Sequence, residues 1–184
     1  MIGECMGATF RFIHDDAMFS CGGTACHFCE SSESPIYNYH GVIVHPDQAA
    51  NPDLANEEPE IYELCAKCIL EDHVRKHLEP GIQKTINRFA RDKQASLEEF
   101  HRTPDIPLFL QHQDWPMCCG EWCEFVGAPT SYRESREVPQ LWHYWEREPR
   151  AWEADYELMP ESLREVSLFK CVICKKQLFT WQFT

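Results

Sequence analysis

Residues 168–181 read LFKCVICKKQLFTW, two apolar and aromatic runs that hold Cys171 and Cys174 between them. Strand-like flanks around a C-x-x-C spacing predict a zinc-ribbon hairpin with both thiols at its tip. Two cysteines cannot close a tetrahedral metal site, so the remaining ligands must come from elsewhere in the chain. That requirement decides the architecture. The expectation is one compact α+β domain over residues 1–184, pinned by metal, with zinc-ribbon and zinc-knuckle elements, short helices and this C-terminal β-hairpin.

The same spacing recurs upstream. Cys26 and Cys29 stand in ACHFCE, Cys65 and Cys68 in LCAKCI, and a looser group of Cys118, Cys119 and Cys123 in MCCGEWCEF. Two residues between cysteines form a tight knuckle that aims both thiolates at one ion, and zinc with sulfur ligands takes four of them in structural sites. The 11 cysteines come without the basic and apolar regions of a secretory signal in MIGECMGATFRFIHDD, so a reducing cytoplasm is expected. Close cysteine pairs there point to metal before disulfides.

Three rival chemistries fit less well. Cys21, Cys26 and Cys29 have the C-x4-C-x2-C opening of a plant-type [2Fe–2S] ferredoxin, but that reading strands Cys68 and ignores the repeated pairs. His77-Leu78-Glu79 spells the H-x-E of a zinc deaminase, yet PMCCGEWC lacks the matching P-C-x-x-C. A thioredoxin-like motif needs a βαβ setting that does not surround Cys65 and Cys68.

Periodicity outlines the rest. ATFRFI alternates Phe10 and Phe12 around Arg11 as a half-buried strand would, and IYNYHGVIVH reads as a second strand with Gly41 as a bulge or bend. Residues 46–63 read as an acidic loop. ILEDHVRKHLEPG suits a helix stopped by Pro80-Gly81, and the next helix places Ile82, Ile86, Phe89 and Ala90 on one face. Ser96 and Glu99 make a capping-box pattern opening LEEFHR. Leu141, Trp142 and Trp145 form a helical stripe that reads as core, and MPESLREV reads as a further helical turn or two.

The ordered series CHFCE, CAKCILED, FHRTPDIPLFLQ, WPMCCGEWCEFVG and LFKCVICKK resembles the CbrC family of small bacterial proteins, from about Cys26 to Lys175. The resemblance implies Cys26, Cys29, Cys65, Cys68, Cys171 and Cys174 as ligands, with Cys119 and Cys123 the best match in the fourth group. It also implies tolerance to colicin-type toxins and no established enzymatic activity. This chain departs from the family at CAKCILED, which lacks Pro-Trp and Ala-Asp-Gly, and at Lys175, where Gly is usual. With sequence-adjacent knuckles paired, Cys26, Cys29, Cys65 and Cys68 form one zinc site. Cys119, Cys123, Cys171 and Cys174 form the other, giving two zinc ions per chain, with Cys118 the substitute for Cys123. Interleaved pairings are the less economical alternative.

Charge narrows the function. The net formal charge is −13, which repels phosphate backbones and attracts basic proteins. No apolar run of 18 residues offers a membrane span. The expected role is therefore a non-catalytic protein that binds and neutralises a partner, an immunity or tolerance protein facing a basic toxin domain. Acidic stretches interleaved with aromatics, EEPEIYE, EWCE and WEREPRAWEADYE, would supply the contact surface. One alternative is a zinc-ribbon regulator reading nucleic acid through Arg75, Lys76, Lys84, Arg88, Arg91 and Lys93. The other is a metal-dependent enzyme. Of the nine histidines, His73 and His77 have the i, i+4 spacing to share an ion, but HVRKH lacks the glutamate of H-E-x-x-H.

Overall fold

A computed structural model of the chain describes residues 7–33, 35–43, 60–107, 113–130 and 166–181. The fold is α+β. By its internal contacts the chain divides into two compact units: residues 18–78 with 97–106, and residues 1–17 with 79–96 and 107–184. Among the described residues, no helix is long and apolar enough to cross a membrane.

The first unit is built on β1 (Ile36–Ile43), flanked antiparallel by β2 (Glu60–Cys65) and β3 (Val74–Lys76). Helix α1 (Ala66–Leu70) follows β2 directly. Pairing of β1 with β2 runs from Ile36 opposite Cys65 to Asn38 opposite Glu63, then resumes at Gly41 opposite Ile61. Two residues, Tyr39 and His40, therefore oppose Tyr62 alone, a β-bulge. A bulge or bend was expected at Gly41; the structure has a bulge, with the extra residue just before it. Gly41 serves close approach instead, since a Cβ there would lie 2.3 Å from the Arg75 carbonyl oxygen.

The bulge turns Tyr39 fully inward. Its hydroxyl shares its one proton between the carbonyls of Val74 (2.8 Å) and His101 (2.7 Å), so a buried polar tip is satisfied. Beside it Lys76, with a side chain 1 % exposed, pairs with Asp105 at 2.7 Å and lies over the rings of Tyr39 and Phe100. Asp105 also accepts the His40 backbone N–H at 2.7 Å, while its own N–H donates to the Asn38 carbonyl at 2.8 Å. One carboxylate thus ties down the bulge.

HVRKH is not helical. After α1 the chain turns at Glu71 and Asp72, whose φ of 59° is left-handed, and enters β3. Val74 and Lys76 point inward and Arg75 outward, the period-2 pattern of a strand. In a segment this short, apolar spacing does not separate the two periods.

In the second unit, α2 (Pro80–Phe89) begins at the proline expected to end the preceding helix. Pro80 occupies the first helical position, where its missing N–H costs nothing. Ile82, Thr85 and Ile86 form its buried face. The next helix, α3 (Lys93–His101), whose residues 93–96 belong to this unit and 97–101 to the first, starts before the expected capping box: Asp92 Oδ1 accepts the Ala95 N–H at 3.0 Å, and Ser96 is buried inside the helix.

The unit's sheet runs β4 (Met117–Cys118), β5 (Glu121–Gly127), β6 (Val166–Cys171) and β7 (Gln177–Trp181), all antiparallel. The C-terminal β-hairpin is present in the expected place. Phe10 and Phe12 are buried and Arg11 is exposed, as the alternation implies. They lie in turns, however, with a single parallel bridge from Ile13 to Phe125. Trp115 and Trp122 are both core: their indole N–H groups donate to the carbonyls of Cys123 (2.7 Å) and Ser96 (2.8 Å). The stripe of Leu141, Trp142 and Trp145 and the MPESLREV turn lie outside the described residues, as does most of the acidic loop; Glu60–Glu63 of that loop are strand.

Candidate metal centres

Each unit contains one cluster of four cysteines. In the first, Cys26 and Cys29 lie on a knuckle whose chain turns back on itself. The Cys26 N–H donates to the Ser31 carbonyl at 2.9 Å and the Glu30 N–H to the Cys26 carbonyl at 2.8 Å. Opposite stand Cys65, the residue capping α1, and Cys68 one turn into that helix. The four sulfurs lie within 4.8 Å of one another, with Cys29 and Cys65 at 3.9 Å.

In the second, Cys171 and Cys174 repeat the two backbone hydrogen bonds of that knuckle. Here the Cys171 N–H donates to the Lys176 carbonyl at 2.8 Å and the Lys175 N–H to the Cys171 carbonyl at 3.1 Å. The N–H groups of Ile173 and Cys174 both point at Cys171 Sγ, each at 3.4 Å. Facing them are Cys118 and Cys119, with sulfur separations of 3.8 Å between that pair and 3.6 Å from Cys118 to Cys174.

Both knuckles leave through a left-handed residue, Glu30 at φ 59° and Lys175 at φ 62°. Glycine takes that conformation without a Cβ clash, which is the physical reason for glycine after the second cysteine of such motifs. Lys175→Gly should therefore stabilise the metal-loaded chain by about 1 kcal/mol in denaturant unfolding. A loss of stability in that variant would mean the Lys175 side chain contributes more than its strained backbone costs.

The donor sets fit a metal. A tetrahedral ion with metal–sulfur bonds of about 2.3 Å sets its sulfurs roughly 3.8 Å apart, the spacing seen in both clusters. All eight cysteines are free thiols. Neighbouring thiolates repel one another. Burial and the neighbouring sulfurs push Cys68 and Cys118 up. One thiol in each cluster is shifted down instead. Burial raises Cys26, but backbone N–H groups of Cys29, Cys65 and Phe28 outweigh it and bring it to about 7. The Lys176 N–H brings Cys174 to about 7. A divalent ion supplies the missing positive charge.

Cys26, Cys29, Cys65, Cys68, Cys119, Cys171 and Cys174 all lie in these clusters. Cys123 does not; Cys118 takes its place. The reason is the turn. Cys118 pairs with Glu121 across a two-residue loop in which Cys119 (φ 56°) and Gly120 (φ 85°) are both left-handed, as a tight hairpin requires. Adjacent cysteines therefore sit together at the hairpin tip, and Cys123 lies about 7 Å further along β5, fully buried. Arg91 holds the tip, its backbone N–H on the Gly120 carbonyl at 3.0 Å and its guanidinium on the Cys119 carbonyl at 3.3 Å. The doublet Cys-Cys-Gly was the available signal. Cys21 joins neither cluster, and Cys5 lies outside the described residues.

The structure does not bring His73 and His77 together into one donor group. His73 stacks on Phe28 at 4.7 Å and contacts Glu71 at 3.0 Å, while His77 lies beyond β3.

The model of the family described as "Uncharacterised protein family (UPF0167)" matches residues 13–183, nearly the whole chain, and includes both cysteine clusters. The chain belongs to that family. No curated protein and no solved structure matches it.

Proposed function

We propose that this member of the UPF0167 family is a zinc-stapled binding protein of the CbrC type, which neutralises a basic partner protein, a toxin domain, without catalysis. The observation that carries this reading is the closure of both clusters: four thiolates fill a tetrahedral zinc and leave no position for a substrate. Zinc there rigidifies the fold and adds charge. Each loaded site contributes −2, which takes the chain from −13 to about −17 before screening.

The nucleic-acid reading loses three of its six cations. Lys76 is buried against Asp105, Arg75 pairs with Asp72 at 3.0 Å, and Arg91 is committed to the β4–β5 turn. The contact surface is also narrower than the acidic stretches alone suggest, because Trp122 and Glu124 of EWCE are buried. Exposed Tyr62 and Glu60 of EEPEIYE keep the character of an interface.

The test is co-purification of the full chain from a native bacterial host, then association kinetics with the captured protein. A basic partner is expected, with an on-rate falling at least about tenfold between low and roughly 0.5 M salt, because steering is screened. An acidic partner, or an on-rate indifferent to salt, would overturn the proposal.

A further inference from the structure

The bulge in β1 exposes His40 on the sheet face where two neighbouring strands deliver a carboxylate and a second imidazole. Glu60 opens β2, opposite Val42, and His77 follows β3, its N–H donating to the His40 carbonyl at 3.3 Å. His40 Nε2 lies 3.6 Å from Glu60 Oε2, and His77 Nε2 lies 3.6 Å from Glu60 Oε1. Candidate donor atoms of all three lie within 4.8 Å of one another, and all three residues are exposed.

We propose that His40, Glu60 and His77 form a third metal site, which holds a borderline divalent ion such as zinc with coordination positions left open. Contacts of 3.6 Å are too long for hydrogen bonds. They suit donors that share an ion: metal–nitrogen and metal–oxygen bonds of about 2.1 Å in a tetrahedral arrangement put the donors roughly 3.4 Å apart. Two imidazoles and a carboxylate are the donor set of open zinc and iron centres, unlike the all-sulfur clusters.

The surroundings hold the donors in place. Tyr62 donates its hydroxyl to Glu60 and stacks flat on the His40 ring, centroids 5.1 Å apart, although it is itself half-exposed and fills no core. The His40 backbone is fixed by Asp105, which Lys76 grips from inside. A carboxylate held by a phenol and an imidazole held by a ring are the outer contacts that orient metal ligands. Three protein donors leave room for water, or for a carboxylate or carbonyl group from another molecule. This inference does not depend on the partner-binding reading.

The experiment starts from the full chain with two zinc ions bound, to which Co²⁺ is added under NMR and visible absorption. One further equivalent should bind, broadening the His40 and His77 ring signals first. No sulfur-to-cobalt charge-transfer band should appear, since the thiolates keep their zinc. His77→Ala and Glu60→Gln should each weaken that binding at least about tenfold, with two zinc ions and the unfolding temperature retained. Tyr62→Phe should weaken it less, and His73→Ala not at all. Failure to bind a third ion, or binding unchanged in both His77→Ala and Glu60→Gln, would overturn the site.

Discussion

Stripping the metal from this protein should unfold it. A chelator at neutral pH with a reductant present should remove two zinc ions per chain and abolish the cooperative unfolding transition. The sizes of the competing terms decide this. Structural zinc contributes about 10–16 kcal/mol of apparent binding free energy, whereas a domain's whole stability is about 5–15 kcal/mol. Without the ion, each cluster keeps buried thiols whose ionisation is opposed, and its two halves, a knuckle and a helix start or a second hairpin, lose their shared partner. The cysteines then separate by role. Cys118→Ser should release one zinc and loosen the β4–β5 and β6–β7 hairpins, whereas Cys123→Ser should keep both zinc ions and lose only the stability that a hydroxyl in place of a buried thiol costs. Metal analysis and thermal unfolding of the two variants check this together. Zinc loss in Cys123→Ser but not in Cys118→Ser would refute the cluster as described. A wild-type chain with less than one zinc, or a brown protein absorbing in the visible, would refute zinc.

The second large effect is expected at Asp105. Asp105→Ala leaves the Lys76 ammonium buried without its partner, and removal of one member of a buried pair costs about 3–5 kcal/mol. The same change strips the acceptor from the His40 N–H in the bulge. Burial lowers the Lys76 pKa and Asp105 works against that, so the lysine in Asp105→Ala should shed its proton more easily. Lys76→Met in the Asp105→Ala background should recover much of the loss, because an apolar chain of similar length replaces the unpaired charge. Chemical denaturation of both single variants and the double variant gives the coupling directly. Equal stability of Asp105→Ala and the parent chain would show that water already satisfies Lys76.

The amino-acid sequence by itself determined what depends on near neighbours along the chain. Cysteine pairs two residues apart are local objects, so Cys26/Cys29, Cys65/Cys68 and Cys171/Cys174 were legible, together with the division into two four-cysteine clusters. The hairpin of residues 166–181 was legible too, because alternating apolar residues around a turn need no distant information. The resemblance marked Lys175 as standing where glycine is usual, but the left-handed backbone that explains it, at Lys175 and at Glu30, came from the structure.

Tertiary structure decided the rest. Cys118 replaced Cys123 because hairpin register, set by a two-residue turn, determines which thiols reach the tip. HVRKH became a strand because β1 offered an edge whose hydrogen bonds Arg75 and its neighbours could complete, and a five-residue stretch carries too little periodicity to resist it. That change separated His77 from His73 and brought it beside His40 and Glu60, which lie 37 and 17 positions upstream. No spacing rule along the chain encodes such a meeting; it exists only once three strands lie side by side and a bulge turns one residue outward.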